Sequence, residues 1–162
     1  MGAAVGVWLM AALLGPPLAQ PPVRFVITMR GSVGVGAAFT AEALISAGLM
    51  LVVLAISNTP RLSRWTGVAA GALVAAYISL EAPLSGMSMN PARSAASAVA
   101  AHHAPALWIY FLAPPLGMWL AAEAYLRWRG TGRVFCAKLH HHPGCCIFCE
   151  WRARAAPRQA VP

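Results

Sequence analysis

SGMSMNPARSAAS, residues 85–97, sets an Asn, a Pro and an Arg together between two long apolar runs. Asn90 is a strong helix N-cap, because its side-chain oxygen accepts from a free N–H of the first turn. Pro91 suits the first helical position, since the N–H it lacks would have had no intrahelical acceptor. An Ala-rich run follows, so the residues predict a helix over 90–101, closed by His102, His103 and Pro105. A helix this short rises only about 15 Å, half the hydrocarbon thickness of a bilayer. Between apolar spans it is best placed as a half-helix that dips in and returns. Irregular backbone at that depth survives only when buried in protein or lining a water-filled cavity. The N-terminal end of the helix carries roughly half a positive charge. Arg93 adds a full one with planar donors, a combination suited to a constriction that passes neutral hydrogen-bonding molecules and excludes protons and cations. A capped surface helix with a solvated Arg is the alternative on spacing alone.

Outward from this stretch the composition favours a membrane protein. Of 162 residues, 59% are hydrophobic and 10% charged, far from the balance of a soluble domain. Four apolar runs, at about 3–19, 34–57, 66–84 and 106–126, come to the roughly 17–25 residues that cross hydrocarbon. A cleaved signal peptide is disfavoured for the first run: no basic residue precedes it, and Pro17 stands where a small residue should precede Ala19. Gly6 argues against myristoylation at Gly2. Arg61 and Arg64 lie between the second and third runs, and seven further basic residues follow the fourth. The positive-inside rule then places both segments in the cytoplasm. Arg24 and Arg30 in the first connection depart from the pattern mildly. Four spans with both ends inside is the expected topology, and the net charge of +8 reads as orientation and contact with anionic lipid. No basic stripe with interleaved aromatics points to nucleic acid.

Gly2/Gly6 and Gly67/Gly71 have the spacing that lets helix backbones approach. Prolines break residues 20–33 into a loop, and Pro60 ends the helix before a short turn at 58–63. Glu42 lies well inside the second run, where a carboxylate costs a few kcal/mol and is expected to face a partner in the protein interior. Glu81 and Glu123 read as interface residues, the latter with Arg127 one turn on.

SGMSMNPARS closely resembles the second Asn-Pro-Ala signature of the aquaporins, the major intrinsic protein family of water and glycerol channels. The similarity extends over residues 2–128, including a Glu at position 42 and a last span beginning WIYFLAPPLG. It implies an all-α membrane protein with four transmembrane helices and one re-entrant half-helix, a partial aquaporin-like bundle over residues 1–129. It further implies a homotetramer in a lipid bilayer, with water and small neutral solutes as partners, and no enzyme chemistry. Carried over by position, Asn90, Pro91 and Ala92 form the motif, and Asn90 offers its amide to the solute. Arg93 is the filter arginine, Met87 lends the filter a carbonyl, and Ile78 stands where strict water channels place a histidine. Ser94, Ala98, Tyr110 and Phe111 look water-type rather than glycerol-type. Glu42 is expected to brace the backbone of a re-entrant loop.

One departure bears on all of these. The family pore is built from two inverted repeats, each with its own Asn-Pro-Ala half-helix. This chain has only two Asn residues, and Asn58 is followed by Thr-Pro in a cytoplasmic turn. The expectation is therefore half a pore, from a bacterial-type aquaporin of the inner membrane, with Met1 falling inside the family's third span as in a truncated gene or a late start.

Residues 130–162 form a basic tail, expected in the cytoplasm, that holds all four cysteines. Cys136 and His140, with Cys146 and Cys149, have spacings compatible with zinc or another soft metal. His141, His142 and Cys145 are alternates, and a plain flexible tail or palmitoylation the other readings. The channel itself requires no cofactor. A membrane-anchored metal-binding protein is thus the alternative function.

Overall fold

The computed structural model describes residues 2–59, 61–104 and 106–130. Among them there are five α-helices and no strand: α1 (Gly2–Leu14), α2 (Val35–Ser57), α3 (Thr66–Ser85), α4 (Pro91–Ala100) and α5 (Trp108–Arg129). Single 3-10 turns stand at Pro16–Leu18, Arg24–Val26 and Ser63–Trp65.

Two segments among the described residues, Val35–Ser57 and Ser63–Ser85, are long and apolar enough to cross a membrane. The first apolar run behaves differently from its hydropathy. α1 stops at Leu14, five residues short of the expected end, because Pro16 disfavours helical backbone before it and the chain turns into the Pro16–Leu18 segment. α5 starts at Trp108 and runs to Arg129, remaining helical through Pro114 and Pro115. Each of those prolines removes one backbone donor from the ladder.

α2 is the centre of the bundle and packs most extensively on α5, then on α3. Against α5 it runs parallel, with Ala38 among Ile109, Tyr110 and Ala113, and Phe39 tilted on Trp108 at 5.9 Å between ring centroids. The backbones come closest where Gly117 meets Ala43: a methyl group at 117 would collide with the Ala43 carbonyl. Against α3 it runs antiparallel, with Ser85 opposite Glu42 and the Tyr77 ring over Gly48. α4 packs on α1 and, less widely, on α5.

Polarity is inverted relative to a water-soluble bundle. Glu42, Ser46, Thr66 and Ser85 are fully buried, whereas Leu9 and Leu13 of α1, Val68 and Leu80 of α3, and Leu112 and Leu120 of α5 are exposed. Only 11% of the apolar window in Ser63–Ser85 is covered by the rest of the chain. An apolar exterior over a hydroxyl-rich interior suits helices solvated by lipid or by further helices.

The α2–α5 contact makes one firm demand. Gly117→Leu should lower stability by about 1–3 kcal/mol, because overpacking forces the backbones apart. Thermal unfolding in detergent micelles measures it, and an unchanged midpoint would contradict the close approach.

Candidate functional site

The site is built on the segment between α3 and α4, where the chain leaves helical geometry for only a few residues. Gly86 caps α3 with a φ of 85°, and any side chain there would also meet the backbone of Met29. Met87 and Met89 then adopt φ of 46° and 49°, which non-glycine residues take up only at a cost. Backbone hydrogen-bonding accounts for the segment's persistence. Gly86 donates to Ala82 O at 2.9 Å, and Met87 to Ser85 Oγ at 3.2 Å. Ser88 donates to Glu42 Oε1 at 2.7 Å, Met89 to Glu42 Oε2 at 2.9 Å, and Asn90 to Ser88 Oγ at 3.3 Å. Five successive N–H groups are therefore satisfied, the first by the last turn of α3 and the other four by side chains, as a buried backbone requires.

Glu42 supplies two of those acceptors and takes a third donor, Ser85 Oγ, at 2.6 Å. It is 0% exposed. A carboxylate at this depth is tolerated because three charge-assisted hydrogen bonds replace its hydration. Tyr110 closes the other side, donating its hydroxyl to Ser85 O at 2.6 Å.

α4 begins where this segment ends. Asn90 Oδ1 accepts from the N–H of Ala92 at 2.9 Å and, more weakly, of Arg93 at 3.4 Å, with Pro91 at the first helical position. That uses the carbonyl of the Asn90 side chain and leaves its amide donors without a hydrogen bond to the described residues. Arg93 Nη1 donates to Thr28 Oγ1 at 3.0 Å and to Met87 O at 3.1 Å. Ser94 is buried and donates to Thr28 Oγ1 at 2.8 Å, and its hydroxyl also contacts Ser88 Oγ.

Asn90, Arg93, Met87 and Ile78 all line one groove of about 650 Å³, together with Val26, Leu49 and Val74. Its lining combines these apolar side chains with the polar Asn90 and Arg93 at the N-terminal end of α4. Other residues singled out from sequence lie elsewhere. Ser94, Ala98 and Tyr110 are buried, whereas Phe111 is exposed on α5. Ala92 is exposed and Pro91 half-buried at the head of α4. Glu81 is nearly buried, and its carboxylate has no hydrogen-bond partner of good geometry among the described residues. Glu123 and Arg127 form an exposed pair at 3.1 Å, of a kind worth little to stability. Cys136, His140, Cys146 and Cys149 lie outside the described residues.

Sequence reasoning missed Thr28, Ser85 and Ser88. The two serines stand inside the stretch whose Asn, Pro and Ala residues carry the helix signals. Thr28 had one signal, as a lone hydroxyl in the apolar run FVITM of an otherwise broken loop.

Removing the central acceptor should be costly. Glu42→Ala leaves two backbone donors and a serine unpaired, and stability should fall by roughly 2–5 kcal/mol. Glu42→Gln, which keeps one acceptor, should fall less. Chemical or thermal unfolding in micelles gives the order, and equal stability of all three proteins would exclude the bracing role.

Residues 1–125 match the family described as Major intrinsic protein. Aquaporin NIP6-1 of Arabidopsis thaliana is 35% identical over 126 residues, covering 77% of this chain and 41% of that protein. Aquaporin NIP3-1 of Zea mays is 41% identical over 95 residues, 58% of this chain and 32% of the relative. A probable aquaporin TIP2-2 of Oryza sativa subsp. japonica is 35% identical over 122 residues, 72% and 49% of the two chains. The chain thus spans less than half the length of each of these relatives. With the family match over most of its length, the chain belongs to the major intrinsic protein family of membrane channels.

Proposed function

We propose that this chain is a channel subunit carrying one half of a pore for water and small neutral solutes. The observation that carries the reading is the shared groove: Asn90, Arg93 and the N-terminal end of α4 face the same space as the apolar Ile78. A neutral solute there meets directed donors on one side and hydrocarbon on the other. A cation meets the positive end of a helix and a guanidinium. Asn90 offers its amide, Met87 its carbonyl alongside Arg93, and Glu42 supports the segment that carries them.

In this reading α1, α2, α3 and α5 are the four spans, and α4 is the re-entrant half-helix. The membrane domain covers residues 1–129, with the C-terminal tail 130–162 in the cytoplasm, where the basic residues place it. Assembly as a homotetramer follows if the family arrangement holds. The relatives named above are plant proteins and lend no support to a bacterial inner membrane. Zinc or another soft metal in the tail is a separate proposal resting only on the spacing of Cys136, His140, Cys146 and Cys149.

The family pore needs a second half-helix to face Asn90, and among the described residues α4 is the one half-helix of this kind. Polar groups left facing hydrocarbon cost several kcal/mol each, so the chain alone should conduct poorly. Vesicles containing it should swell no faster than empty ones under an osmotic step. Fusing the N-terminal half of a plant relative ahead of Gly2 should restore fast swelling. Rapid swelling of the chain alone, abolished by Arg93→Glu, would overturn the half-pore reading; a folded, impermeable fusion would overturn the channel reading.

A further inference from the structure

A guanidinium on a flexible stem acts at a fixed point only if something aims it. Among the described residues Arg93 has two hydrogen-bond acceptors, both taken by Nη1: the Met87 carbonyl and the hydroxyl of Thr28, which lies 65 residues earlier in the chain. Thr28 is 4% exposed. It stands in the connection between α1 and α2, where no secondary structure would hold its side chain.

Proton counting shows what does hold it. A hydroxyl has one hydrogen to give and two lone pairs to receive with. Ser94 gives its hydrogen to Thr28 and also touches Ser88 Oγ, whose own hydrogen is directed at the Asn90 carbonyl at 3.1 Å. Thr28 receives from Ser94 and from Arg93, which occupies both of its lone pairs. Ser88 is itself fixed through its backbone N–H on Glu42. Ser94 and Arg93 thus converge as donors on the same Thr28 oxygen.

We propose that Thr28 is the positioning residue of Arg93, and that Ser94 sets the direction in which Thr28 presents its lone pairs. The bulk of residue 28 does not matter in this account; the hydroxyl does. Loop 15–34 thereby helps define the groove without lining it at Thr28. The functional meaning of the contact rests on the channel reading above, but the contact itself does not.

The test reads the arginine directly. The full chain in lipid nanodiscs is treated with phenylglyoxal, and modification at each arginine is followed by peptide mass spectrometry. Thr28→Val keeps the volume and removes the acceptor, and should raise the Arg93 rate about tenfold, the scale expected for a lost hydrogen bond to a charged group. Arg61 and Arg64, at the other end of α2, should keep their rates. Thr28→Ser should return Arg93 to the wild-type rate, which a purely steric role would not predict. Ser94→Ala frees Thr28 to rotate and should give an intermediate rate, about threefold above wild type. An unchanged Arg93 rate in a helical Thr28→Val protein overturns the proposal, as does a Thr28→Ser protein as reactive as Thr28→Val. If Thr28→Val does not fold, an unchanged rate in Ser94→Ala overturns it on its own. None of these rates depends on water flux, so failure of the swelling assay and failure here are separate results.

Discussion

The carboxylate of Glu42 is the constraint on which the rest of the structure depends. It takes the N–H groups of Ser88 and Met89 and the hydroxyl of Ser85, all within 2.9 Å. Those donors belong to a segment with left-handed backbone at Met87 and Met89 that no helix or sheet could satisfy. Without a buried acceptor the segment would have to seek water, and the polar end of α4 would move with it. A charge on α2 thus fixes the backbone that fixes Asn90 and Arg93. The cost of burying Glu42 is offset by the three donors that reach it.

Several features of the packing serve that arrangement. Parallel α2 and α5 approach closely at Ala43 and Gly117, one residue beyond Glu42 on α2. Antiparallel α2 and α3 bring Ser85 opposite the carboxylate. Tyr110 adds a hydroxyl to the Ser85 carbonyl from α5, so three helices converge on one short segment. The hydroxyls of Ser88, Ser94 and Thr28 carry the order onward to the guanidinium. The exterior needs none of this specificity, and its Leu, Val and Trp side chains are simply exposed.

Much of the site was legible in the sequence. Asn90 and Pro91 announce a helix start by cap chemistry and by the missing N–H, and α4 runs from Pro91 to Ala100 as those signals suggest. Glu42 was conspicuous because a carboxylate inside an apolar run needs a partner. Its partners were not legible, since backbone N–H groups carry no sequence signature and Ser88 and Met89 lie 46 and 47 residues away. Thr28 escaped for a similar reason: its contacts are long-range, and a loop has no periodicity to mark one residue as buried. Tyr110 stands out as a water-type position only through resemblance, while its hydrogen bond to Ser85 is a fact of packing. The end of α1 is not legible in hydropathy, which continues through Pro16–Leu18 after α-helical geometry has stopped at Leu14.

Hydrogen–deuterium exchange at single-residue resolution, on the full chain in nanodiscs, tests the central claim most directly. The amides of Ser88 and Met89 should exchange orders of magnitude more slowly than those of Ser32 and Val33, because a buried carboxylate holds them. Exchange at Ser88 and Met89 as fast as at those two loop residues would contradict the account.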